Sequence, residues 1–198
     1  MRIIVRLIRL AQYALTVAGI AAVGYCAAIW FGAARFQASQ ARRFDGELEA
    51  HAARFARTSV SRPPFIAEEG EPIGKLEIPR LGLSVIVVEG VGHRDLDRAV
   101  GHVPGTAFPW QAGNIGIAGH RDTFFRPLRF IRPNDVITLS TLEGSYHYRV
   151  VATEVVSPSD VQVLQPAGAD TLTLVTCFPF YYVGSAPKRF IVRAEHGS

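Results

Sequence analysis

TLTLVTC, at residues 171–177, is a run of β-branched and apolar residues that ends on a cysteine. Such a composition predicts a buried β-strand. Phe178-Pro179-Phe180 ends the strand, because proline cannot donate a hydrogen bond within a central sheet. Cys177 is therefore predicted to lie at a strand end, where a side chain can face a cleft instead of the core.

A second strand, RFIVRA at residues 189–194, follows an aromatic and small-residue loop. Two antiparallel neighbours joined by a loop bring the end of the first strand beside the start of the second. The thiol of Cys177 and the guanidinium of Arg189 are therefore expected on one rim. Taken singly, a free cysteine is most often a small buried hydrophobe and a strand-end arginine is most often a solvated charge.

The composition limits the classes of partner. The chain has 198 residues, of which 48% are hydrophobic and 19% charged, and its formal net charge is +4. Its basic residues are spread along the chain and form no dense Lys/Arg run, which argues against nucleic-acid binding. A mildly basic surface suits an anionic membrane or cell wall.

Residues 10–34 carry no charge and predict an uncleaved membrane anchor. A helix of 25 residues reaches about 37 Å, enough to cross a hydrocarbon core of about 30 Å, and the run is too long for a cleaved signal peptide. Basic residues lie in the preceding segment 1–9, which we assign to the cytoplasm with the rest of the chain outside. Arginines also follow the span, so the charge count alone does not settle this orientation. The other cysteine, Cys26, lies within the anchor and cannot pair with Cys177 there.

Residues 35–72 are interpreted as a stalk and linker. The first part has helix formers and charges with a thin apolar stripe, which predicts a solvated helix. A Pro- and Gly-containing stretch between residues 58 and 72 then breaks the helix. The folded domain is predicted to span 73–198.

Short apolar runs separated by Gly, Pro and Asp predict a mainly β domain, either a barrel or a sandwich. Residues 95–100 are expected to form one or two helical turns. The histidines are scattered and no Gly-rich phosphate loop is present, so neither a metal (calcium included) nor a cofactor is predicted. Seven strands are expected, at 73–78, 83–88, 114–118, 135–140, 146–156, 171–176 and 189–194.

His120 is the candidate base. It follows the small-residue strand NIGIAG at 114–119 and so lies at another strand end. His93, His102 and His147 have no comparable setting and are interpreted as surface or loop residues.

Three motifs together resemble the sortase family. TLVTC at 173–177 looks like the family's TLxTC signature, AGH at 118–120 resembles the segment of the catalytic histidine, and RFIVRA is similar to the closing strand that begins with the catalytic arginine. They occur in the family's order. The resemblance implies an eight-stranded β-barrel over 73–198 with short helices, its eighth strand expected at 161–164. Class D is the most similar group, with class E the near alternative.

The resemblance implies a membrane-anchored cysteine transpeptidase. Cys177 would be the nucleophile, His120 the general acid and base, and Arg189 the stabiliser of the oxyanion or substrate. The substrates would be secreted proteins with a C-terminal sorting motif of the LPxTG or LAxTG type, cut after Thr through a thioester. The acyl group would pass to a cell-wall amine.

Two other classes remain open at this level. A catalytically idle, membrane-anchored β-domain for adhesion or assembly would not require Cys177, His120 and Arg189 to converge. An L,D-transpeptidase would need a Ser-x-Gly-Cys-like setting, which the sequence around Cys177 does not match.

Overall fold

The computed structural model describes residues 2–55, 67–166, 168–182 and 184–197. The chain forms two compact units, residues 1–36 and 37–198. One long helix, α1 (Arg2–Phe55), contributes to both units. The predicted domain limits at residues 35 and 73 remain predictions, and the linker around residues 56–66 lies outside the described residues.

In the first unit, α1 presents apolar side chains outward. Leu15, Val17 and Ile20 are 75%, 66% and 68% exposed. The segment Arg9–Gly46 contains a stretch that is long and apolar enough to cross a membrane. An exposed apolar helix surface of this kind is typical of a segment that can contact lipid.

The second unit is built from eight strands and short helices. The helices are α2 (His93–Leu96) and the 3₁₀ turns Pro79–Leu81, Arg126–Phe130 and Val161–Leu164. The strands are β1 (Pro72–Ile78), β2 (Leu83–Glu89), β3 (Val100–His102), β4 (Asn114–Ala118), β5 (Val136–Thr141), β6 (Gly144–Val156), β7 (Thr171–Phe178) and β8 (Lys188–His196).

The strands close into a barrel in the order β1-β2-β3-β4-β7-β8-β6-β5. β2–β3 and β4–β7 are parallel pairs, and the other neighbours are antiparallel. The predicted mainly β, eight-stranded barrel is therefore confirmed. Its lumen is filled by alternate strand residues such as Leu76, Ile117, Leu172 and Val192, all of them 0% exposed.

The expected position of the eighth strand was wrong. The missing strand is β3, and Val161–Leu164 is a 3₁₀ turn held against β4 by a hydrogen bond of 3.1 Å from Asn114 Nδ2 to the Val163 carbonyl. The surface assignment of His102 was also wrong. Its imidazole is 1% exposed, and Nδ1 lies 2.7 Å from Glu89 Oε2.

Residues 37–45 of α1 pack on the barrel more closely than a solvated stalk would. Phe44 is only 4% exposed. The Gln37 side chain donates to the Arg98 carbonyl at 2.7 Å and accepts from the Ile86 N–H at 2.9 Å. Lys75 Nζ lies 2.7 Å from Asp45 Oδ1. These polar and apolar contacts fix this helical segment to β1, β2 and the residues after α2.

Candidate active site

β7 lies between β4 and β8, and this arrangement brings the three predicted site residues together. Cys177 and Arg189 are direct cross-strand partners in the antiparallel pair β7–β8. On the other side, Ala118 of β4 is level with Val175. Continuing this parallel register by two residues places His120 level with Cys177. Since neighbouring strands are about 4.8 Å apart, the three backbones span about 10 Å.

The register past the end of β4 is maintained by two hydrogen bonds. The Gly119 N–H donates to the Val175 carbonyl at 3.1 Å, and Thr176 Oγ1 donates to the Gly119 carbonyl at 2.7 Å. Only glycine fits at position 119, because a Cβ there would lie 2.8 Å from the Phe125 ring and 2.9 Å from Val100. The backbone leading into His120 is thus held by hydrogen bonds to β7 and by close packing against Phe125 and Val100.

The thiol and the guanidinium belong to the outer face of the barrel. In β7, Leu172 and Leu174 point into the core, so odd-numbered positions, including Cys177, point outward. In β8, Val192 belongs to the core, so Arg189 points outward too. Both residues are partly buried. The nucleophile candidate and the cation candidate therefore share one face of one barrel end.

Two features hold the described residues of the loop between Cys177 and Arg189 in place. Phe178, Phe180 and Phe190 form an aromatic cluster with centroid separations of 5.3–6.3 Å, and Phe180 and Phe190 also pack on the core. Arg121, next to His120, donates from Nη2 to the Tyr182 carbonyl at 2.7 Å and the Gly184 carbonyl at 3.1 Å. Sequence reasoning missed Arg121, because its carbonyl partners are more than 60 residues away in the chain.

The guanidinium of Arg189 is oriented by its own loop. Nη1 donates to the Ala186 carbonyl at 3.3 Å and to the Lys188 carbonyl at 3.1 Å. These two bonds hold a planar cation next to the end of the strand that carries Cys177. Hydrogen bonds from a planar guanidinium suit an oxygen that gains negative charge.

The imidazole of His120 lies beside α2. Its Nε2 is 3.8 Å from Asp97 Oδ1, too long for a hydrogen bond, and its ring centroid is 6.2 Å from that of His93. The His120 side chain is 32% exposed. Among the described residues, His93, Asp97 and His120 form a group whose ligand atoms lie within 4.8 Å of one another, although the sequence predicted no metal site.

A β-barrel with a thiol, an imidazole and a guanidinium on three adjacent strand ends has the arrangement expected of a cysteine acyl-transfer enzyme. The comparisons with known proteins agree. The sortase domain family model matches residues 76–197. The chain is 36% identical to sortase D of Bacillus subtilis over 133 residues, which cover 67% of both chains. It is also 36% identical over 137 residues to sortase SrtE1 of Streptomyces coelicolor, covering 60% of this chain and 39% of that protein.

Solved structures give the same result. The Clostridium perfringens sortase D5 transpeptidase superposes with a TM-score of 0.64 at 26% identity, covering 79% of this chain and 95% of that one. Sortase E1 of Streptomyces coelicolor, solved with a tripeptide in the active site, superposes with a TM-score of 0.59 at 33% identity, covering 67% and 92%. The chain belongs to the sortase family, whose members are cysteine transpeptidases acting on secreted proteins with sorting motifs and on amine acceptors.

Proposed function

We propose that Cys177, His120 and Arg189 form the catalytic centre of a transpeptidase acting through a thioester. The observation that carries the proposal is the strand register. Cys177 and Arg189 are cross-strand partners, and the β4 register continues His120 to the same level on the other side of Cys177. This register supports a site in which His120, far from Cys177 in the chain, faces the same barrel end as the neighbouring pair Cys177 and Arg189.

The chemistry follows from these residue types. A thiol with an ordinary pKa near 8.5 is a few per cent thiolate at neutral pH, and nearby cations favour that form. The thiolate of Cys177 attacks the carbonyl carbon of the substrate's Thr, which belongs to the amide bond that is broken. Arg189 donates hydrogen bonds to the resulting oxyanion or holds the substrate backbone. As the C–N bond breaks, the imidazolium of His120 protonates the leaving amine.

In the second step, transfer to the acceptor, His120 acts as a base instead of an acid. The acyl group remains on Cys177 as a thioester, and neutral His120 takes a proton from an incoming amine. The amine attacks the thioester carbonyl, the C–S bond breaks, and a new amide forms. Water in place of the amine would give hydrolysis, so the accessible nucleophile decides between transfer and proteolysis.

The substrate class that we propose is a C-terminal sorting motif of the LPxTG or LAxTG type on a secreted protein, with a cell-wall amine as acceptor. Residues 10–34 would anchor the enzyme in the cytoplasmic membrane in a single pass. The segment 1–9 would lie inside and the barrel outside. The exposed apolar surface of α1 supports the anchor.

Intact-mass spectrometry tests the thioester directly. The full chain in detergent micelles is incubated with LPxTG-type and LAxTG-type peptides, without and then with an amine acceptor. We expect an acyl adduct that maps to Cys177 and disappears as the amide product forms. The Cys26→Ala variant, which removes the other cysteine, should retain the adduct.

The Cys177→Ala variant should fold normally, as judged by circular dichroism, and should give neither adduct nor product. Transfer above trace level by this variant would remove Cys177 from the nucleophile role. An adduct found on Cys26 alone would do the same.

A further inference from the structure

The surroundings of His120 contain a second set of groups that the transpeptidation chemistry does not use. α2 begins at His93, and the Asp97 N–H donates to the His93 carbonyl at 3.1 Å, which is an i→i+4 helical bond. Residues four apart in a helix share a face. His93 and Asp97 therefore present an imidazole and a carboxylate side by side, and His120 adds a second imidazole from the end of β4.

The backbone that carries His93 and Asp97 is well fixed. Between them, Asp95 is 7% exposed, and its carboxylate accepts from Arg98 Nη2 at 2.7 Å. The Asp95 carbonyl also accepts from the Ala99 N–H at 2.8 Å. Ala99 leads directly into β3. The two ligand positions are therefore attached to the barrel, while their side chains stay exposed and free to rotate.

The donor set matches the chemistry of zinc. Two imidazoles and one carboxylate, with an open fourth position, form a common zinc ligand set. Metal–ligand bonds of 2.0–2.2 Å in a tetrahedron place neighbouring ligand atoms about 3.3–3.6 Å apart. The ligand atoms here lie within 4.8 Å of one another, and the His120–Asp97 pair is at 3.8 Å. Rotation of the exposed His93 and Asp97 side chains can close the remaining gap to the half-buried His120.

We propose that His93, Asp97 and His120 bind a transition-metal ion of the zinc class, and that the bound ion inhibits the enzyme. A metal on the His120 imidazole occupies the nitrogen lone pair that must accept and return the proton. The inhibitory part of this proposal rests on the proposed role of His120, whereas the binding part does not. Hard cations such as Mg²⁺ and Ca²⁺ favour oxygen ligands and should not compete.

Binding is measured on the full chain in detergent micelles, purified without a histidine tag. Zn²⁺ is titrated by calorimetry, and Co²⁺ serves as a probe whose d–d absorption reports low coordination number. We expect one site per chain. The His93→Ala and Asp97→Ala variants should each weaken Zn²⁺ binding at least about tenfold, since even the loss of an outer partner has that effect. His147→Ala, which removes another exposed histidine on β6, is the matched control and should bind as wild type.

The Cys177→Ala variant separates this site from simple capture of an ion by the thiol. It should retain Zn²⁺ binding. Loss of binding in Cys177→Ala, together with unchanged binding in His93→Ala, would overturn the site. Binding by the wild type that is equal to that of His93→Ala and Asp97→Ala would overturn it as well.

Inhibition is measured as peptide transfer with and without Zn²⁺, normalised to the metal-free rate of each variant. The concentration of Zn²⁺ giving half inhibition should rise at least about tenfold in His93→Ala. Inhibition of equal potency in His93→Ala would refute the inhibitory role. If the chain bound Zn²⁺ as expected but transferred no sorting peptide, the proposed function would fail and the metal site would stand.

Discussion

Replacing Arg189 by lysine separates the shape of its side chain from its charge. Lysine keeps the positive charge but loses the planar, two-pronged donor. If Arg189 stabilises the oxyanion, the loss should appear in the chemical step. Removing one donor from an oxyanion hole typically lowers kcat about 10²- to 10³-fold. Because one charged donor remains in Arg189→Lys, we expect the lower end, about 10²-fold, or about 2.7 kcal/mol at 1.36 kcal/mol per tenfold.

Arg193 is the matched control on the same strand and the same face. It lies four residues on, about 13 Å further along at about 3.3 Å per residue. Its cross-strand partner in β7 is Thr173 instead of Cys177, and its Nη2 lies 3.6 Å from Glu154 Oε1. The separation of about 13 Å along the strand is too great for Arg193 to contact a carbonyl under attack at Cys177. Arg193→Lys should therefore have kcat and KM close to those of the wild type.

Steady-state kinetics on a fluorogenic sorting peptide with saturating amine acceptor distinguish the two variants. A loss in Arg189→Lys that is confined to KM would indicate substrate binding and exclude the oxyanion role. A larger loss in Arg193→Lys than in Arg189→Lys would refute the assignment of the cation altogether.

Three further predictions concern the fold and the anchor. Gly101→Ala should destabilise the barrel by about 3 kcal/mol in chemical denaturation, because the new Cβ would lie 2.1 Å from the Gly90 carbonyl oxygen; an unchanged midpoint would contradict this. Hydrogen bonds from Arg80 hold the pKa of Asp135 below its ordinary value, so this stabilisation is present above about pH 4 and is lost as pH falls through the lowered pKa. The free energy of unfolding should therefore fall less steeply with decreasing pH in Asp135→Asn than in the wild type. Equal slopes in the two proteins would exclude the Arg80–Asp135 ion pair as a cause of the acid destabilisation. A reporter enzyme that works only outside the cytoplasm should be active when it is fused after β8. Activity of a reporter that works only in the cytoplasm would instead reverse the proposed topology of residues 10–34.

The barrel could be predicted because most of its strands carry their own signal. Seven predicted strands match observed ones, since each is a run of β-branched and apolar residues bounded by turn residues. β3 was missed because three residues with a central glycine show no alternation, and only pairing with β2 and β4 makes them a strand. The run at 161–164 alternates like a strand, but it forms a 3₁₀ turn over β4.

The site was predictable to the extent that its residues are chemically distinctive and lie at strand ends. Cys177, His120 and Arg189 were chosen as chemically distinctive residues at strand ends, and the strand register is consistent with that choice. Their joint role as a site remains a proposal. Tertiary contacts were not accessible from sequence. The burial of His102 depends on Glu89 and Thr106, and the role of Arg121 depends on carbonyl groups of a distant loop. Backbone carbonyls leave no signature in the residue types, so such contacts appear only in three dimensions.

The pairing of β4 with β7 also governs when His120 can come level with Cys177 during folding. The partners Asn114 and Thr171 are 57 positions apart, and this long loop must close before any contact compensates its entropy. α1 needs only local contacts and can form within microseconds, whereas barrels rich in such distant pairings fold in about milliseconds to seconds. Arg189 lies only 12 residues after Cys177, so β7 and β8 can pair early. Until β4 pairs with β7, however, Cys177 lacks the imidazole neighbour. If Cys177 is the nucleophile proposed above, the thiol, imidazole and guanidinium are assembled as a set only when this distant pairing forms.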